Sequence, residues 1–186
     1  MVKFFSRLLL QLAGWNIREN SVPEIRKAVL LVAPHTSNAD FIIGRLAFNI
    51  LGVKAAFLIK KEVFVFPLST ILRKMGGIPV DRKKHTRLVE QLSEHFRKTD
   101  ELMLAVTPEG TRSHVSRWKK GFYYIALKAE VPIILSYIDY KRKEGGMGPV
   151  IYPSGDIDSD FEKIIGFYSD IGPRHPEKFC KNPSLR

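Results

Sequence analysis

The chain has 186 residues, enough for one domain with a sizeable core, and its 45% hydrophobic and 26% charged content is that of an ordinary folded protein. Its charge is less ordinary: 30 Lys and Arg against 19 Asp and Glu give +11, which suits anionic partners such as nucleic acid, an acidic membrane face or an acidic carrier protein. The single cysteine, Cys180, excludes a disulfide framework and a cysteine-rich metal site.

In chain order, residues 1–20 predict an amphipathic helix and residues 21–186 the main domain. Lys3, Arg7, Gln11, Gly14 and Arg18 fall on one helical stripe, and Phe4, Phe5, Leu8, Leu9, Leu12 and Trp15 on the other. Such a helix suits a bilayer interface, or equally a face packed on the protein's own core. The longest charge-free run there, residues 8–17, is far short of the roughly 20 apolar residues of a spanning helix. A signal peptide is also a poor fit, since Arg7 and Gln11 interrupt the apolar region.

Beyond it, strand and helix patterns alternate. Strands are expected at 28–33, 54–59, 78–80, 102–106 and 131–138, with a last one at 149–152 after a Gly145-Gly146 turn. Helices are expected at 40–51, 67–74, 84–98, 121–129 and 158–165. The alternation predicts a single α/β domain, with a mixed, mainly parallel sheet flanked by helices and an N-terminal amphipathic helix. In such sheets, sites form at the carboxyl ends of strands.

Two motifs directly follow expected strands. In His35-Thr36-Ser37-Asn38-Ala39-Asp40, the five-residue spacing separates His35 and Asp40 by about 140° on a regular helix. They pair only if His35 stays in the loop, Asp40 opens the helix and the loop folds back. Asp40 then fixes one imidazole nitrogen and leaves the other as a base, without a neighbouring serine. The nucleophile is then an alcohol on the substrate. Alone, a His-x4-Asp is more simply a loop histidine beside a helix cap. In Pro108-Glu109-Gly110-Thr111-Arg112-Ser113, Gly110 permits close backbone approach and Arg112 suits a phosphate. A solvated basic turn would account for the same residues, except Glu109, which is suited to orient Arg112 or bind a glycerol hydroxyl.

Arg82, after Gly77-Ile78-Pro79-Val80-Asp81, is a second candidate for the phosphate, or a surface charge paired with Asp81. Lys60 ends an earlier strand, where it would steady an oxyanion or extend into solvent. Phe64, Phe66, Phe122, Tyr123 and Tyr124 are candidates to line an acyl slot, with core packing the simpler role for most. No Gly-x-Ser-x-Gly elbow, P-loop or dinucleotide fingerprint is present, and the five histidines show no metal-ligand spacing.

These blocks resemble the glycerolipid acyltransferase family, of the 1-acylglycerol-3-phosphate acyltransferase kind. The resemblance runs over roughly residues 33–135. His35 and Asp40 match the family's His-x4-Asp, and Gly77 to Arg82 its second block. Residues 108–113 match Pro-Glu-Gly-Thr-Arg-Ser in full, Val131 to Ile133 the fourth block, and Lys60, Lys61, Glu62 and Pro67 a further segment. The chain departs from the pattern at Pro34, Thr107 and Leu135.

The resemblance implies a minimal bacterial enzyme that acylates the free hydroxyl of a lysophospholipid, foremost 1-acyl-sn-glycerol-3-phosphate, giving phosphatidic acid. The co-substrate would be acyl-CoA or acyl-carrier protein, with no cofactor and no metal. His35 and Asp40 would be the catalytic pair, with Arg82, Glu109, Gly110, Thr111, Arg112 and Lys60 binding substrate. It would work peripherally at the cytoplasmic face of an anionic membrane, without nucleic acid. The alternatives are another lysolipid acceptor, such as lyso-ornithine lipid, or a non-catalytic basic module binding membranes or nucleic acid.

Overall fold

The apolar run after the N-terminal segment becomes the middle of a sheet. In β2 (Lys27–Val32), Ala28, Val29, Leu30 and Leu31 are completely buried, as expected of a parallel strand covered on both faces. The computed structural model describes residues 1–19, 24–80 and 85–186, the side chains of residues 85–87 excepted. The other elements are α1 (Val2–Leu12), β1 (Asn16–Arg18), α2 (Asn38–Leu51), β3 (Ala55–Lys60), α3 (Leu68–Lys74), β4 (Gly77–Val80), α4 (His85–Lys98), β5 (Leu102–Val106), β6 (Arg117–Trp118), α5 (Gly121–Ala129), β7 (Ile133–Asp139), β8 (Glu144–Ile151), α6 (Ile157–Tyr168) and β9 (Ser184–Leu185).

Among the described residues, one sheet has seven strands in the order β1-β8-β7-β2-β5-β3-β4. β7, β2, β5, β3 and β4 run parallel, β8 is antiparallel to β7, and β1 is parallel to β8. This is the mixed, mainly parallel α/β domain expected, with helices on both faces. Alternation along β2 sorts its side chains between the faces. Val29 and Leu31, with Ala33 just past the strand, join Leu92 and Phe96 of α4, Phe122 and Ile125 of α5, and Ile164 and Tyr168 of α6. Ala28 and Leu30 join Phe48 of α2, with Ala55, Ala105 and Ile134.

Trp118 is the largest fully buried side chain, and its ring meets those of Phe161 and Tyr168 edge-on at 5.9 and 5.7 Å. Its replacement by alanine removes a large aromatic from a close-packed layer and is expected to cost about 3–5 kcal/mol of stability, measured by urea unfolding.

Two expectations change. The predicted turn at Gly145-Gly146 lies inside β8, which starts at Glu144 and sits between β1 and β7. A Cβ on Gly146 would lie 3.2 Å from the Arg18 carbonyl and 3.5 Å from the Tyr137 ring, so these glycines serve close strand approach rather than chain reversal. The N-terminal stripe is helical only to Leu12. Gly14 turns the chain at φ 77°, and Asn16–Arg18 adds β1 to the sheet edge. Three residues carry too little periodicity to be legible in advance.

Candidate active site

β2 and β5 are parallel neighbours, so the loops after them open at the same sheet edge. His35 and Glu109, 74 positions apart, meet there: the Glu109 carboxylate accepts the His35 backbone N–H at 3.0 Å. β3 is the next parallel strand, so Lys60 ends at this edge too, with its side chain exposed.

The His35 loop does fold back. Ser37 caps α2 in an extended conformation, and Asp40 is the third helical residue of a capping box. Asp40 Oδ2 accepts the backbone N–H groups of Thr36 at 2.7 Å and Ser37 at 2.8 Å, and Ser37 Oγ accepts that of Ala39. This brings Asp40 Oδ2 to 3.5 Å from His35 Nδ1. Sequence spacing on a helix could not make this contact, but a cap can, because the chain is not yet helical at His35. Asp40 is 3% exposed. Burial alone would raise its pKa, but hydrogen bonds from His35, Tyr140, Ser37 and Thr36 outweigh it and hold the carboxyl below its usual range. Asp40 is therefore an anion at neutral pH. With Nδ1 turned to this anion, Nε2 of the imidazole is left to act as a base.

Glu109 takes a contact that its position in the motif did not suggest. Its carboxylate faces the His35 backbone, and it is 4% exposed, with Oε2 buried and unpartnered. Burial pushes its carboxyl up to about 7, helped by the Asp40 charge and opposed by hydrogen bonds from backbone N–H groups. The rest of the loop faces outward. Gly110 turns at φ 67°, and a Cβ there would collide with the Lys119 side chain, its Nζ at 2.7 Å. Thr111 and Arg112 are exposed, with Thr111 Oγ1 accepting the Ser113 N–H at 3.3 Å. Arg82 lies outside the described residues.

Sequence reasoning missed the other side of the site. Tyr140, just past β7, donates its hydroxyl to Asp40 Oδ1 at 2.7 Å. From the segment after α6, the His175 backbone N–H donates to Thr36 Oγ1 at 3.2 Å, and Arg174 reaches Ser37 Oγ at 3.4 Å. These residues lie 100 to 139 positions from their partners, and no local pattern marks them.

Of the aromatic candidates for an acyl slot, Phe122 and Tyr123 are core residues, and Tyr123 donates to Asp160. Phe66 is 88% exposed, and Tyr124 is also exposed. The N-terminal helix rests on α2 through Leu10 and Ser6, the latter bonded to Asn49, while Lys3 and Arg7 pair with Glu19. Its Phe4, Phe5, Leu8, Leu9 and Leu12 all face outward, and Trp15 is buried. Of the apolar stripe, Trp15 alone is thus packed on the core. No helix among the described residues is long and apolar enough to cross a membrane.

The chain is similar to known proteins over most of its length. A family model described as Acyltransferase matches residues 16–139, which include both loops and every strand from β1 to β7. A 1-acyl-sn-glycerol-3-phosphate acyltransferase of Limnanthes douglasii is 30% identical over 135 residues, covering 68% of this chain and 46% of the relative. One of Cocos nucifera is 35% identical over 134 residues, covering 69% and 42%. The chain therefore spans less than half the length of these relatives. The crystal structure of the 1-acyl-sn-glycerophosphate acyltransferase PlsC from Thermotoga maritima has the same fold, with a TM-score of 0.57 and 18% identity over 87% of this chain and 72% of that one. On the matched span and the loops it contains, the chain belongs to the acyltransferase family.

Proposed function

We propose that this protein transfers a fatty-acyl group to the free hydroxyl of a lysophospholipid, foremost 1-acyl-sn-glycerol-3-phosphate, giving phosphatidic acid. The observation that carries this reading is the ionised, buried Asp40 held against His35 Nδ1 at the carboxyl edge of the sheet. The activity named for the relatives supports the choice of acceptor.

His35 Nε2 takes the hydroxyl proton as the substrate oxygen attacks the thioester carbonyl of acyl-CoA or acyl-carrier protein. The tetrahedral intermediate collapses, the C–S bond breaks, and the thiolate leaves with the proton returned by the imidazolium. Asp40 keeps the imidazole in the Nδ1–H tautomer and stabilises its cation. Arg112 and Arg82 suit the acceptor phosphate, Gly110 and Thr111 shape the turn that meets it, and Lys60 or backbone amides steady the oxyanion. Glu109 supports the loop from beneath. The test is incubation of the protein with a panel of lysolipids and acyl thioesters, read by mass spectrometry. Lysophosphatidate consumed to phosphatidic acid supports the reading, and an unchanged panel overturns it.

We also propose that the protein works at an anionic bilayer surface, entered by the outward face of α1. This helix presents Leu12 at 77% and Phe4 at 66% exposure beside a chain of net charge +11. Burying such side chains is worth about 1.5–3 kcal/mol each. Replacing Phe4, Phe5, Leu9 and Leu12 together with serine is expected to weaken sedimentation with phosphatidylglycerol vesicles by more than about a hundredfold. Undiminished sedimentation would assign the face to something other than lipid.

A further inference from the structure

We infer that Tyr140 is a positioning residue for the His35 base, acting through Asp40. This rests on the reaction proposed above but invokes a residue outside every motif block. The Asp40 carboxylate has two anchors. Oδ2 is held by the Thr36 and Ser37 N–H groups on the side that faces His35, and Oδ1 is held by the Tyr140 hydroxyl at 2.7 Å. The terminal torsion of an aspartate is broad, so one anchored oxygen leaves the carboxylate plane free to rock. A second anchor on the other oxygen fixes that plane, and with it the direction in which Oδ2 meets the imidazole.

The phenol is itself held in place. The Trp15 ring meets it edge-on at 4.9 Å between centroids, the Arg174 guanidinium lies 5.9 Å over its face, and its backbone N–H donates to the Gly172 carbonyl at 2.8 Å. Burial, and then the hydrogen bond to Asp40, raise its pKa above the ordinary phenol value, so it remains an O–H donor. Trp15 ties the support to the N-terminal segment, and Arg174 and His175 tie the same loop to the chain beyond α6. Three distant segments thus brace the Tyr140 ring and the His35–Asp40 loop.

Tyr140→Phe removes the hydroxyl and keeps the ring between Trp15 and Arg174, so the fold is retained. With the proposed substrates, kcat is expected to fall about tenfold, the scale of a hydrogen bond to a charged group, with KM changed less than about twofold. In an Asp40→Asn background the same change is expected to add little, because it acts through Asp40. A raised KM with unchanged kcat, or an undiminished loss in the Asp40→Asn background, overturns the proposal.

A second readout needs no turnover. In protein labelled with 15N at histidine, at a pH where the ring is neutral, the His35 shifts of the unaltered chain are expected to report the Nδ1–H tautomer, and those of Tyr140→Phe a mixture. Identical tautomer populations in the two proteins overturn the proposal. If no lysolipid is acylated at all, the reaction reading fails, and the tautomer measurement still decides the role of Tyr140.

Discussion

His35→Ala is expected to lower acyl transfer about a hundred- to ten-thousand-fold while leaving the fold intact. The ring is 15% exposed and belongs to none of the hydrophobic clusters of the core, so its removal is expected to leave the sheet and its helices folded. The chemistry, by contrast, loses its proton acceptor. A lysophospholipid hydroxyl is almost fully protonated at neutral pH, and attack on a thioester needs that proton taken in the transition state. Because the loss is one of transition-state stabilisation, it is expected in kcat with little change in KM for either substrate. Asp40→Asn is the companion change. The amide keeps the shape of the cap but removes the anion that stabilises the imidazolium, so a large loss in kcat is expected here too. Steady-state kinetics on the two variants, with circular dichroism to verify folding, provides the measurement. A fully active His35→Ala protein would end the mechanism.

Glu109→Gln is expected to change how stability depends on pH. Burial raises the Glu109 carboxyl from its ordinary 4.5 to about 7 in the folded protein. Between those values the folded chain holds a proton that the unfolded chain releases. The contribution of Glu109 to folding is therefore greatest below pH 4.5 and is lost as pH rises towards 7, with no further change from this group above. The full effect is about 3 kcal/mol. Glutamine cannot ionise, yet its amide oxygen can still accept the His35 N–H. Urea unfolding at pH 5 and pH 8 is thus expected to show a steeper fall for the unaltered protein than for Glu109→Gln, and parallel slopes would refute a carboxyl buried in this way. Glu109→Ala strips the His35 N–H of its acceptor. It is expected to lower activity and cost about 1–3 kcal/mol of stability at either pH.

Much of this was legible because it is local. The buried strands announce themselves as short apolar runs, and β5 and α5 run over the residues their patterns mark, Leu102–Val106 and Gly121–Ala129. The Ser37 cap and the Asp40 first turn follow from side chains that bond the nearest backbone. Parallel strands joined by helices imply one functional edge, and the strands before His35 and Glu109 place both residues there.

What remained illegible lies where distant segments meet. Glu109 reads as a headgroup ligand in a basic loop, and only the pairing of β2 with β5 turns it beneath His35. Tyr140 and Arg174 carry no local mark, and Trp15 reads only as part of the N-terminal stripe, not as a neighbour of Tyr140. The α1 stripe looks the same whether it meets a core or faces outward, since amphipathicity gives a face but not its partner.

By itself, then, the order of residues determined the alternating elements, the imidazole–carboxylate pair and the basic glycine turn, since each arises from neighbours along the chain. The tertiary structure alone decided which carboxylate supports the loop, which phenol anchors the acid and which face of the first helix is left bare. Those depend on contacts between segments tens to more than a hundred residues apart, and neither periodicity nor spacing encodes them.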